Sequence, residues 1–298
     1  MEDDEEPEII YEAAPTIVEL DGNEPGPDAA TLAQMGWLLR RYTSRTYIAR
    51  ARDLFAGLIR AFLEWSDADE VLSPEVAKEW ALALHQRLAS FQRALDALDK
   101  GDAARAYPAL REAVSGLEPA DARDEFRFSL TQLIDAIGPA ARPWGESAVA
   151  MMDRIERTLE GCWACETILA DRLSLRMRPR SFPEKLDALP LPDPRSPKLK
   201  TGKKIPVTGI WIATTTLNAC PNFLVAGQPA PELRRPCERL DYEATPAAGG
   251  EPARDAWSDY EFADEATVWQ LVWTDTRYRG AESEDESAML DEDNALPG

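Results

Sequence analysis

Hydrophobic residues recur every three or four positions through much of residues 28–178, which is the spacing of one face of an α-helix. The clearest run starts at Ser73-Pro74, where a serine suited to the N-cap precedes a proline at the first helical position, and it ends at Gly101. Its apolar stripe consists of Val76, Trp80, Leu84, Leu88, Phe91, Leu95 and Leu98. The pattern predicts a long amphipathic helix with one buried side.

Similar stripes predict further helices in the same half of the chain. One follows the cap candidates Thr43 and Ser44, two shorter ones cover about 103–117 and 121–137, and a last long one covers about 146–177. Five or six amphipathic helices with short turns can cover one another's apolar faces. Residues 27–178 are therefore predicted to form an antiparallel helical bundle.

The pattern changes to that of strands in residues 205–278. The segments 205–212, 221–227 and 268–273 are short, apolar and rich in β-branched or aromatic residues. Trp269 and Trp273 alternate on one face, and with Trp211 they are expected to form a structural aromatic core. Residues 228–256 are interpreted as a long loop. These features predict an α+β fold, with a small antiparallel β unit packed on the bundle.

The remaining segments are distinguished by proline and charge. Residues 179–204 contain six prolines among lysines and are predicted to be an extended linker. Residues 1–26 and 279–298 are predicted to be disordered acidic ends. The chain has 54 acidic and 33 basic residues, and 17 of the acids, with no base, lie in residues 1–25 and 281–298. Direct binding to nucleic acid is therefore disfavoured, whereas a cationic partner is favoured.

Composition also limits the chemistry. His85 is the single histidine, and it is expected to hydrogen-bond locally at the edge of a helix face. Cys162 and Cys165 are spaced as zinc ligands could be, but they lie on an apolar stripe and are interpreted as core thiols. No Walker, GxGxxG, HExxH or GxSxG motif is present. Neither a metal nor another cofactor is predicted, and the protein is not expected to be an enzyme.

Two observations bear on location and on an alternative function. No export signal or apolar span of membrane length is visible in the sequence, so a cytoplasmic protein that does not enter the membrane is expected. Asp259, Glu261, Asp264 and Glu265 could supply a pair of carboxylates for hydrolysis, although a solvated loop is the simpler interpretation. A carboxylate- or zinc-dependent hydrolase and a helical scaffold protein therefore remain as alternatives.

Three segments of the C-terminal unit resemble the immunity protein 71/72 families of bacterial polymorphic toxin systems. They are a strand ending in Gly209-Ile-Trp211, the run from Cys220 to Pro231, and the run Trp269-Gln-Leu-Val-Trp-Thr-Asp-Thr-Arg-Tyr278. The resemblance implies a protein that neutralises a cognate toxin used in interbacterial competition, often one delivered by contact-dependent or type VI secretion. It implies no catalytic residues.

The main functional prediction is thus an immunity protein that inhibits its toxin by stoichiometric occlusion in the cytoplasm. A basic toxin such as a nuclease would complement the acidic charge. Asp275, Arg277 and Tyr278 follow the last predicted strand, where they are expected to reach solvent and bind the toxin, together with Trp257 and Tyr260. The alternative is that Arg277 pairs with Asp275, or with a carboxylate of the bundle, and joins the two halves of the protein.

Overall fold

A computed structural model describes residues 15–20, 26–68, 73–115, 130–161, 163, 182–216, 219–242, 257–279, 286 and 289–290. Within these residues the chain forms six α-helices and two antiparallel sheets. The predicted α+β class is therefore confirmed.

The described helices correspond to the predicted stripes except for α1, for which no separate helix was predicted. They are α1 (Ala29–Tyr42), α2 (Arg45–Ala68), α3 (Pro74–Asp99), α4 (Ala103–Val114), α5 (Leu130–Ile137) and α6 (Arg142–Glu160). Ser73 caps α3, and its side chain accepts a hydrogen bond from the backbone N–H of Val76. Helix α6 ends at Glu160, because Gly161 adopts a left-handed conformation with φ 69° that terminates it. Residues 162 and 164–177 of the predicted last helix lie outside the described residues. The N-terminal part of the helix predicted over 121–137 lies outside the described residues.

Four strands form the sheet that packs on the helices. Their order is β2 (Lys198–Lys200), β7 (Val268–Thr274), β3 (Gly209–Ala213) and β4 (Pro221–Leu224), and all neighbours are antiparallel. Trp211 and Trp269 are fully buried in a cluster of this β unit, whereas Trp273 is partly buried and packs against the helical core. Phe223 and Val225 belong to the helical core itself. The β unit therefore has a hydrophobic cluster of its own and also contributes residues to the helical core.

A second sheet was missed by the sequence analysis. Its strands are β1 (Thr16–Glu19), β5 (Leu233–Tyr242) and β6 (Trp257–Glu265), with β5 in the middle. The predicted loop 228–256 therefore contains a ten-residue strand, and the acidic segment 259–265 is a strand as well. The prediction failed because β5 has no apolar alternation: its sequence is LRRPCERLDY, and it is specified by its partners instead.

The segments predicted as disordered or extended also contribute structure. Thr16–Glu19, in the predicted acidic arm, is strand β1. Phe182, Leu186 and Leu189 of the predicted linker pack against the helical core, and so do Met289 and Leu290 of the predicted acidic tail. These parts differ from the prediction because a few apolar residues within the polar segments pack against the core.

No described helix has both the length and the apolar character needed to cross a membrane.

Helices α2 and α6 pack closely where α2 has a glycine. A Cβ atom at Gly57 would overlap the ring of Trp144, near the start of α6. The ring therefore occupies the space that the missing side chain leaves on α2.

Gly57→Ala is accordingly expected to destabilise the protein by about 1–3 kcal/mol, the usual range for overpacking. At an exposed helical site the same change would stabilise by about 1 kcal/mol, because alanine is the better helix former. Urea unfolding of Gly57→Ala in the wild-type and Trp144→Ala backgrounds tests this. The effect of Gly57→Ala on the free energy of unfolding should change from destabilising to stabilising when the ring is removed. A stabilising effect in both backgrounds would contradict the packing.

Candidate functional site

Three of the five residues predicted to bind a partner, Asp275, Arg277 and Tyr278, lie at the corner between α1 and α2. The last carbonyls of α1 and the first N–H groups of α2 face this corner, and such groups have no partner within their own helix. The chain after β7 returns here and supplies hydrogen bonds to both helix ends.

Arg277 and Asp275 form a buried ion pair at the end of α1. The exposed fractions of the two residues are 2% and 3%. The Nε and Nη2 atoms of Arg277 each lie 2.9 Å from a different carboxylate oxygen of Asp275. Nη1 donates to the carbonyl of Arg40 at 2.7 Å, and Nη2 donates to Thr43 Oγ1 at 2.9 Å. The guanidinium therefore pairs with the carboxylate of Asp275 and also hydrogen-bonds the end of α1, where the helix dipole favours a cation.

Tyr107 of α4 adds a third side chain to this ion pair. Its hydroxyl donates to Asp275 Oδ2 at 2.7 Å across 168 positions of sequence. Burial raises the pKa of Tyr107, and the charge of Asp275 raises it further, so the hydroxyl remains a donor. Burial alone would raise the pKa of Asp275, but the charge and hydrogen bonds of Arg277 outweigh it and hold that pKa below its ordinary value. The stabilisation from Asp275 is therefore complete above about pH 4 and is lost as pH falls through its folded pKa.

Tyr278 and Glu286 cover the start of α2. The Tyr278 hydroxyl accepts from the backbone N–H of Arg45 at 2.8 Å and donates to Glu286 Oε1 at 2.5 Å. Glu286 Oε2 accepts from the backbone N–H of Thr46 at 2.8 Å. Ser44 accepts from the next N–H, that of Tyr47, as expected of a capping residue. Glu286 thus places a buried negative charge at a helix N-terminus, where the dipole favours it.

The expectation that Asp275, Arg277 and Tyr278 reach solvent at the strand exit is wrong. All three are buried, and Tyr278, the most accessible, is 9% exposed. Their local sequence suggests exposure, but their partners come from α1, α2 and α4, which the local sequence does not reveal. The structure instead has the alternative arrangement, in which Arg277 pairs with Asp275 and joins the sheet to the helices.

The other predicted contact residues lie on β6. Tyr260 is half-buried, with its ring centroid 6.5 Å from that of Phe262. The side chain of Trp257 lies outside the described parts of the structure. Neither residue lies on the described elements that meet at the α1–α2 corner, so the structure does not bring the predicted set together.

A second feature, which the sequence analysis missed, is a row of three glutamates across the β1–β5–β6 sheet. Glu19 is opposite Glu238, and Glu238 is opposite Glu261. Directly opposed residues share one face of a sheet, and Ile17 and Leu240, two positions along their strands, lie on that same face. We call these five residues the glutamate face.

The remaining candidates show no assembled chemistry. His85 is exposed, and its Nδ1 lies 2.7 Å from the carbonyl of Ala81. Cys220 is buried and Cys237 is half-buried, while Cys162 and Cys165 lie outside the described residues. Among the residues that the structure describes, no group of three or more His, Cys, Asp or Glu side chains could hold a metal ion.

Comparison with known proteins gave no match. No family model, no curated protein and no solved structure matches this chain.

The sequence contains weak signals for some of the site residues that the sequence analysis missed. Tyr107 lies on the apolar side of α4, and a buried tyrosine needs a partner for its hydroxyl. Met289-Leu290 interrupts the acidic tail with two apolar residues, which indicates that the neighbouring Glu286 docks. No local signal aligns the three glutamates, because their register depends on pairing between distant segments.

Arg277→Ala is expected to lower the free energy of unfolding by about 3–5 kcal/mol, because it leaves the Asp275 carboxylate buried without its counter-charge. Arg239→Ala is the matched control: it removes a bond to Asp241 between two partly exposed side chains and should cost less than about 1 kcal/mol. Urea titration measures both variants. Equal losses would show that burial does not distinguish the two ion pairs.

Glu286→Ala is expected to cost about 1–3 kcal/mol, because the Tyr278 hydroxyl and the Thr46 N–H lose their acceptors. Glu286→Gln retains a side-chain oxygen and should lose less. The control is Glu184→Ala, at an exposed glutamate, and thermal unfolding ranks the three. A Glu286→Ala variant as stable as the control would mean that this contact contributes nothing.

Proposed function

We propose that this chain is an immunity protein that binds a cognate antibacterial toxin stoichiometrically and blocks the toxin's active site or its substrate path. The setting would be competition between bacteria, with a toxin delivered by contact-dependent or type VI secretion. The proposal rests on the resemblance to the immunity protein 71/72 families and on the charge of the chain.

One observation carries the proposal. The three segments that resemble the family are separated in sequence, yet they contribute the adjacent strands β4, β3 and β7. The residues that follow β7 in the third segment include Asp275, Arg277 and Tyr278, which join that sheet to the helices. Asn222 of the second segment binds the backbone of Trp163, just after α6, as donor and as acceptor. The three resembling segments therefore belong to one sheet, which supports treating them as a single signature.

Charge supports the nature of the partner. The chain has a formal net charge of −21. A strongly acidic protein attracts a basic one from a distance and accelerates their association. Nucleases need cationic surfaces to approach nucleic acid, so a nuclease toxin would offer complementary charge, and an immunity protein bound there would exclude the substrate.

The test is co-expression with the protein encoded beside this chain in its genome. That protein alone should arrest growth, and co-expression with this chain should restore it. Purified together, the chain and an inactivated form of the toxin should form a complex of fixed stoichiometry by gel filtration with light scattering. An unrelated protein of similar acidity, expressed to the same level, should not protect.

The alternatives give different results. A hydrolase would protect at substoichiometric amounts and would alter the toxin chemically, which mass spectrometry detects. A scaffold protein would bind without protecting. Either result would contradict the proposal.

A further inference from the structure

The glutamate face consists of Ile17, Glu19, Glu238, Leu240 and Glu261, and its three glutamates occupy directly opposed positions of neighbouring strands. Adjacent strands are about 4.8 Å apart, so the side chains of the glutamate row are close neighbours. Among the described residues, none of the three glutamates forms a hydrogen bond or an ion pair through its side chain. The arginines of β5 pair with other groups: Arg239 with Asp241, Arg234 with the ring of Phe262, and Arg235 with Glu265 and with the backbone carbonyls of Leu20 and Pro236.

This arrangement is unfavourable in the isolated protein. Like charges directly opposite one another destabilise a sheet, and Glu238 has one such neighbour on each side. Among the described residues, no basic side chain forms an ion pair with any of the three glutamates. A surface with several cationic side chains, placed over the row, would pair with the carboxylates.

The face also has apolar surface that the described protein leaves uncovered. Ile17 is 60% exposed, and neither Ile17 nor Leu240 belongs to, or packs against, either hydrophobic core cluster of the described residues. Apolar residues beside charged ones are typical of protein interfaces, whose central contacts are apolar and whose rims are polar. A phosphate-bearing partner would be repelled by the glutamates.

Charge argues against coverage by the two segments of the chain that precede β1 and that connect β5 to β6. Residues 1–14 include seven acids and no base, and residues 243–256 include three acids and one base. A second copy, with its net charge of −21, would also be repelled overall. A basic partner protein is the occupant that complements the face.

We infer that the glutamate face is the docking surface for a lysine- or arginine-rich surface of a partner protein. The identification of that partner with the toxin rests on the proposed function. Basic side chains of the toxin lie over Glu19, Glu238 and Glu261, and an apolar toxin side chain packs on Ile17 and Leu240.

The test is charge reversal with a matched control. The face variant carries Glu19→Lys, Glu238→Lys and Glu261→Lys. The control variant carries Glu64→Lys, Glu79→Lys and Glu146→Lys, at exposed glutamates of α2, α3 and α6. Both variants change the net charge equally, so long-range attraction falls equally and only direct contact distinguishes them. The probe is the inactivated protein encoded beside this chain, and calorimetry measures its affinity.

The face variant is expected to bind at least about 100-fold more weakly than wild type, because close interfacial charge pairs contribute strongly. The control should lose no more than about threefold. A further variant, Glu238→Lys alone, guards against misfolding: it turns the row into alternating charges, so its unfolding midpoint should rise while its affinity falls about tenfold. Weaker binding by a more stable protein cannot be attributed to unfolding.

The outcomes separate the two proposals. Wild-type binding with equal losses in the face and control variants would overturn the docking surface and leave the proposed function intact. No binding and no protection by wild type would overturn the proposed function and the assignment of this partner with it. Sedimentation of the chain alone provides a third result: a dimer abolished only by the face variant would show that a second copy, through its Lys198–Lys204 segment, occupies the face, contrary to our inference.

Discussion

The structure depends on hydrogen-bond partners for the backbone groups that are buried at the corner between α1 and α2. Two helices that meet end to end bring unpaired carbonyls and unpaired N–H groups into one place, and leaving them buried without partners would be costly. Arg277 donates a hydrogen bond to a carbonyl at the end of α1, and Tyr278 and Glu286 accept hydrogen bonds from N–H groups at the start of α2. The charge at each end has the sign that the helix dipole favours. Residues from the C-terminal part of the chain therefore complete helices formed near its beginning.

This arrangement anchors one of the two sheets of the β unit to the helices. The β2–β7–β3–β4 sheet is fastened to the helices through the residues that follow β7 and through Asn222 at the end of α6. Strand β6 of the β1–β5–β6 sheet is followed closely in sequence by β7, and Leu233 at the start of β5 belongs to the same hydrophobic cluster as Trp211 and Trp269.

The sequence predicts features that are encoded locally and misses those that depend on distant pairing. Ser73 and the stripe after it specify α3, because capping and helical spacing are properties of neighbouring residues. Strand β5 has no such local signature, and it forms because Thr16–Glu19 and Trp257–Glu265 pair with its two edges. Arg277 and Asp275 look like exposed charges for the same reason: Tyr107 and Thr43, which bury and satisfy them, are distant in sequence.

Acidic residues in this protein differ in function according to whether neighbouring hydrogen-bond donors or cations compensate their negative charge. Asp275 and Glu286 are buried, but each receives hydrogen bonds from fixed donors and stabilises the fold. Glu19, Glu238 and Glu261 oppose one another across a sheet without a recorded partner among the described residues, and the fold gains nothing from their repulsion. Net charge alone would treat these two groups as equivalent. The proposed docking surface rests on this difference: its charges are uncompensated among the described residues and lie beside the exposed side chain of Ile17.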